Sequence, residues 1–124
     1  MQLDRLTITL PWVDSRLMPN RKNGLHWGRS QEAKVRARQD GHMSALVALG
    51  RNTMPLSTTI PVKITFAAPD GRHRDLDNLL AASKASLDGI AKALGVDDKC
   101  FRPLTIDAAI DTRKQGFVIV EIGL

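Results

Sequence analysis

"LLAASKASLDGIAKALG" (Leu79 to Gly95) decides the fold, because no other stretch has so clear a period. Leu80, Ser83, Leu87, Ile90 and Leu94 recur at steps of three and four, a narrow apolar seam on one side of a helix. Ala81, Ala82, Ala85 and Ser86 fill much of the rest, and Gly95 is placed to end the helix. The seam suits either a core contact or a contact with a second copy. Upstream, "STTIPVKITFAAP" (Ser57 to Pro69) puts Val62, Ile64 and Phe66 on one face and reads as a strand. Downstream, "LTIDAAID" and "FVIVEIGL" read as strands joined by "TRKQG", a closing hairpin.

Nearer the N-terminus, "LTITLPW" (Leu6 to Trp12) alternates and is rich in β-formers. Pro11 either ends this strand or places it at a sheet edge. "VDSRLMPNRKNGLHWGR" (Val13 to Arg29) has Pro, Asn and Gly punctuation and no period, so it reads as a long basic loop. A helix is predicted from Ser30, with Ser30 as N-cap and Val35, His42, Leu46 and Leu49 on one side. Gly41 weakens it by about 1 kcal/mol relative to Ala. The expected order is β-α-β-α-β-β: an α+β fold, one domain over residues 1–124, with one mixed or antiparallel sheet and two helices.

The 124 residues suffice for one core, and the apolar and charged fractions are those of a globular protein. No apolar run spans a bilayer and the N-terminus lacks a signal-peptide core, so no membrane partner is expected. A single cysteine, Cys100, excludes an internal disulfide and fits a cytoplasmic location. The net charge of +5 is uneven: residues 1–66 hold ten Lys/Arg against four Asp/Glu, residues 67–124 eight against nine. Arg16, Arg21, Lys22, Arg29, Lys34, Arg36 and Arg38 follow one another with one acid, Glu32, among them. That run suits a polyanion such as nucleic acid, and equally a plain solvated face.

Two pairs of carboxylates flank the periodic helix, Asp75 with Asp77 before it and Asp97 with Asp98 after it. First-turn carboxylates are favoured by the helix dipole, which accounts for the first pair. The second pair stands where the dipole disfavours anions, and a polar turn is its ordinary explanation. Taken together in a basic protein, the pairs shift the odds towards metal binding. Oxygen-only donors select a hard cation, Mg²⁺ with Mn²⁺ as substitute. A calcium loop fails because Leu80 stands where glycine is required, and no dinucleotide or phosphate-loop fingerprint exists, so no organic cofactor is expected. A carboxylate cluster with Mg²⁺ in a basic protein is the chemistry of phosphodiester hydrolysis.

"RDLDNLLAASKASLDGIAKALGVDD" (Arg74 to Asp98) resembles the signature of the RusA family of Holliday-junction resolvases of bacteria and their phages. That signature has Asp-x-Asp-Asn-Leu, a lysine-bearing helix and a downstream Asp-Asp. "ITLPWVDSRLMPNRKNGLHW" (Ile8 to Trp27) resembles the family's opening strand and loop, with Asn20 and the His26–Trp27 pair in register. The resemblance implies a homodimeric, Mg²⁺-dependent endonuclease that cuts four-way DNA junctions symmetrically in recombination and repair. It implies Asp75, Asp77 and Asp98 as metal-binding and catalytic carboxylates, with Asp97 the weaker candidate. Some members place a lysine four residues after the second aspartate, where this chain has Ala81; others place it seven after, where it has Lys84. On one straight helix Lys84 would lie along the same line as Asp77, about 10 Å further on, and would reach back as a catalytic electrostatic helper on the scissile phosphate. Arg72, His73 and Arg74 would offset the acids' repulsion and, with the basic run from Arg16 to Arg38, contact DNA. A straight helix would hold Asp77 and Asp98 roughly 25 Å apart. Either the helix breaks near Gly89, or two copies pair so that one site takes acids from both. The rival functions are a non-catalytic junction-binding module and a metal-dependent nuclease on flaps or RNA.

Overall fold

Three strands leave their C-terminal ends at one edge of a single sheet, and this edge organises the molecule. In the computed structural model, which describes residues 2–19, 27–54 and 58–123, the elements run β1 (Arg5–Pro11), α1 (Trp27–Leu49), β2 (Ile60–Ala68), α2 (Leu76–Ala82), α3 (Lys84–Leu94), β3 (Phe101–Ile110) and β4 (Phe117–Gly123). Short 3₁₀ turns occupy Ser15–Leu17 and Asp98–Cys100. The fold is α+β, with three helices and a mixed four-stranded sheet in the order β1-β4-β2-β3. β4 is antiparallel to both β1 and β2, and β3 is parallel to β2.

Two expectations fail here for identifiable reasons. The closing hairpin does not form: β4 inserts between β1 and β2, and β3 takes the outer side of β2. Both flanks of β4 are thereby buried, which its alternation of Val118, Val120 and Ile122 rewards. The second helix is two helices, not one, and the break lies at Ser83 instead of Gly89. Ser83 is buried; its N–H bonds the Leu80 carbonyl at 3.0 Å and its Oγ the Leu79 carbonyl at 3.0 Å. A serine bonding back into the preceding turn competes with the regular ladder and bends the helix. Gly95 does end α3, with φ at 75° and the Val96 N–H reaching the Ala91 carbonyl at 3.0 Å.

The core lies between one face of the sheet and the helices. Leu6, Ile8 and Leu10 of β1, Val62, Ile64 and Phe66 of β2, and Val118, Val120 and Ile122 of β4 meet Leu79, Leu87, Ile90, Ala91 and Ala45. The periodic seam therefore belongs to the core, where Leu87, Ile90 and Ser83 are buried and Leu80 and Leu94 are half-buried. The expected face of α1 holds only in part: Leu49 packs against the core and His42 is half-buried. Val35 and Leu46 are exposed, and the buried positions are Ser30, Ala33, Gly41 and Ala45. Ser30 is not a cap; the helix begins at Trp27.

Small residues face α3 because the two helices nearly touch. A Cβ on Gly41 would strike the Ser86 carbonyl, and a Cβ on Gly89 would strike the Arg38 carbonyl. The two glycines thus form the crossing point. Neither marks a weak place or a break.

β3 is unlike the other strands. Pairing with β2 in register puts Leu104, Ile106, Ala108 and Ile110 on the core side of the sheet, yet no helix covers them fully: Leu104 is 39% and Ile110 63% exposed. Among the described residues no helix is long and apolar enough to cross a membrane.

Candidate functional site

A cleft of about 500 Å³ opens where β1 and β2 end, lined by Trp12, Ser15, Arg72, His73, Asp75 and Asn78 among others. Asp75 is the N-cap residue of α2, with extended backbone (φ −73°, ψ 129°), but its side chain makes no capping hydrogen bond. Its Oδ1 pairs instead with His73 Nε2 at 3.1 Å, and both groups are exposed. Asp77, in the first turn, is exposed and makes no hydrogen bond or ion pair among the described residues. Helix capping therefore does not account for either carboxylate.

The basic residues beside them divide into a largely buried brace and exposed side chains that pair loosely at the surface. Arg74 is 13% exposed: its guanidinium lies 5.4 Å from the Trp12 ring centroid and 3.1 Å from Asp70 Oδ1. Asp70 is held below the usual carboxylate range, chiefly by that contact with Arg74 and then by the Arg72 N–H. Arg74 thus fixes the loop before α2 and is not available as a free phosphate ligand. Arg72 and His73 are exposed, Arg72 Nε lying 3.8 Å from Asp70 Oδ1 and His73 meeting Asp75. Arg16 is engaged likewise, donating to both oxygens of Asp14 with a shortest contact of 2.8 Å, and its hydrogen bond lowers the Asp14 pKa.

At the other end of the helical pair, Asp97 and Asp98 separate in role. Asp97 caps the Asp98–Cys100 turn, accepting from the Lys99 N–H at 3.0 Å, and this bond lowers its pKa. Asp98 caps nothing. Its carboxyl lies against Asp88 of α3, which pushes its pKa up, with burial and Asp97 adding to the effect. Asp88 was not legible as a partner, because only the reversal at Gly95 folds Asp98 back towards α3. The one sequence signal was its position four residues after Lys84, a spacing that shares a helix face.

Asp75 and Asp77 stand at the C-terminal edge of the sheet, whereas Asp98 immediately precedes the N-terminus of β3, at the opposite edge. Within the chain, no three His, Cys, Asp or Glu side chains converge on a common point among the described residues. The break at Ser83 also removes the straight line from Asp77 to Lys84. Lys84 begins α3 and faces a separate groove with Lys34, Arg38 and Asp88. Arg29, Arg36 and Arg38 are exposed on α1 and Lys34 is half-buried there. Arg21, Lys22, Asn20 and His26 lie outside the described residues, as does the side chain of Trp27.

No family model matches the chain. It is 35% identical over 119 residues to an "Uncharacterized protein" of Xylella fastidiosa (strain Temecula1 / ATCC 700964), a match covering 94% of this chain and 74% of that protein. The chain belongs to that protein's family. The match runs over nearly the whole of this chain and is not confined to one motif.

Proposed function

We propose that the protein is a Mg²⁺-dependent endonuclease that resolves four-way DNA junctions, acting as a homodimer of RusA type. The observation that carries this reading is that none of three carboxylates caps the helix or turn it adjoins. Asp75 and Asp77 leave the α2 N-terminus uncapped by side chains, and Asp98 leaves its turn to Asp97. Asp75 meets only the exposed His73, Asp77 has no partner among the described residues and Asp98 lies against another acid, an arrangement that fits residues kept for a ligand. Their donor set is oxygen only, which fits Mg²⁺ or Mn²⁺. When bound, such an ion lowers the pKa of water and neutralises charge on phosphate oxygens. The chain's own contribution is to hold the ion through Asp75, Asp77 and Asp98 and to seat the phosphodiester with Arg72 and His73. The exposed cations of α1 carry the flanking backbone, giving affinity without sequence preference. Lys84, in the groove with Lys34 and Arg38, belongs to that track.

The two acid sets are brought together by a second copy. The Asp111 N–H bonds the Ala68 carbonyl at 2.7 Å, so by alternation residues 104, 106, 108 and 110 turn their backbone groups outward. In the free chain the Ala108 N–H bonds the Asp107 carboxylate at 2.8 Å, a bond that strand pairing would exchange for an inter-chain one. Antiparallel pairing of β3 with its own copy about Ile106 would cover part of the apolar stripe. It would carry Asp98 of one copy to the sheet edge where Asp75 and Asp77 of the other stand.

Labelled four-way junction, plain duplex and RNA, each incubated with and without Mg²⁺, test the function. Paired nicks at the branch point only with metal are expected. Binding without cutting would favour the non-catalytic junction binder, and cutting of RNA or flaps in preference to junctions would favour the other nuclease class.

A further inference from the structure

The turn between β3 and β4 lies at the same sheet edge as the Asp75 cleft and is built more firmly than a connecting loop requires. Asp111 is buried, and its carboxylate accepts from three backbone N–H groups: Arg113 at 2.9 Å, Gln115 at 3.2 Å and Gly116 at 3.0 Å. Lys114 is held at φ 60°, a left-handed conformation that non-glycine residues adopt only when their surroundings impose it. Gly116, at φ 81°, sits so close to Trp12 and Pro69 that a Cβ there would lie 3.1 Å from each. Trp12 in turn lines the cleft with Arg72, His73 and Asp75. The result is a fixed turn whose tip carries two adjacent cations. Arg113 and Lys114 are exposed and form no ion pair with any described residue.

We infer that this turn is a phosphate clamp: Arg113 and Lys114, preset by Asp111, hold the backbone of a nucleic-acid strand lying across the Asp75 cleft. The inference rests on the nuclease reading and adds residues outside its basic N-terminal run. A preset turn loses little conformational freedom on binding, so two cations there hold phosphates better than the same cations on a loose loop.

The test measures binding of a fluorescent four-way junction by the full chain in EDTA, so that cutting cannot interfere, over a series of salt concentrations. Arg113→Gln/Lys114→Gln should weaken binding and make the plot of log K against log salt shallower by about 1.8, the value for two lost phosphate contacts. Asp111→Ala keeps both cations and should also weaken binding. Lys63→Gln, on the sheet face away from the helices, should lower the slope far less. The clamp is overturned if the double variant keeps the wild-type slope, or if Lys63→Gln matches its loss per charge removed. Wild-type protein that binds with the expected slopes but never cuts with Mg²⁺ contradicts the nuclease reading while leaving the clamp standing. Wild-type protein that shows no salt-sensitive binding overturns both.

Discussion

Single residues here act in ways that reverse their usual sign. Ala in place of a helical glycine ordinarily adds about 1 kcal/mol of stability. At Gly41 and Gly89 the added methyl would meet a backbone carbonyl of the other helix, and carbonyls cannot turn aside. Overpacking of this kind costs typically 1–3 kcal/mol, so the clash wins. Gly41→Ala and Gly89→Ala should each lower the urea midpoint, and a higher midpoint would show that the helices have room to part. Asp98 offers the opposite case. Its repulsion with Asp88 persists at neutral pH in metal-free buffer, so Asp98→Asn should raise the melting temperature. The gain should be under about 1 kcal/mol, the scale of exposed charge pairs.

Asp111 gives a pH dependence with a definite direction. Backbone N–H groups, that of Arg113 first, hold its pKa below the ordinary carboxylate value. A depressed folded-state pKa means that its stabilising effect is complete above the unfolded value, about 3.9, and is lost as pH falls through the folded one. Thermal melts from pH 6 downwards should show wild type more stable than Asp111→Ala by a constant margin that shrinks only below about pH 4. A margin unchanged into strong acid would deny the carboxylate that role.

At the level of elements, the helical period was legible because tertiary packing and sequence agree there: Leu87 and Ile90 are buried where the seam put them. α1 was partly misread because its contact is made of small residues. Ala33, Gly41 and Ala45 carry no strong hydrophobic signal, while Val35 and Leu46 do and are exposed. The Ser83 break was hidden too, since serine is an ordinary helix residue until its Oγ finds a carbonyl. Strand pairing lay beyond the sequence altogether, because adjacency of β3 and β4 along the chain said nothing about β4 inserting beside β1. Of the candidate site, the four aspartates and the preference for Asp98 over Asp97 were legible through the resemblance, but the physical division, Asp97 as cap and Asp98 against Asp88, needed the turn itself. For β3, Ile106 packs half-buried at the rim of the core, so Ile106→Lys is read once circular dichroism shows the wild-type fold. It should yield monomers by sedimentation if the strand is the contact between copies, and an unchanged dimer would place that contact elsewhere.

For the molecule as a whole, the topology sets the terms of the proposed function. Parallel β2 and β3 put the entrance of β3, with Asp98, at one edge of the sheet and the exit of β2, leading to Asp75 and Asp77, at the other. On the proposed reading each chain holds two partial sets of carboxylates, and a two-fold axis beside β3 would complete two sites at once. Two sites related by a two-fold suit paired cuts on a four-armed substrate. The most direct measurement mixes Asp77→Asn protein with Asp98→Asn protein, each inactive alone, and follows nicking of labelled four-way junction in Mg²⁺. One site in each mixed dimer would keep Asp77 from one copy and Asp98 from the other, so the account predicts recovery of single-strand nicks without paired cuts. No recovery, in a mixture shown to contain mixed dimers, would contradict the shared site.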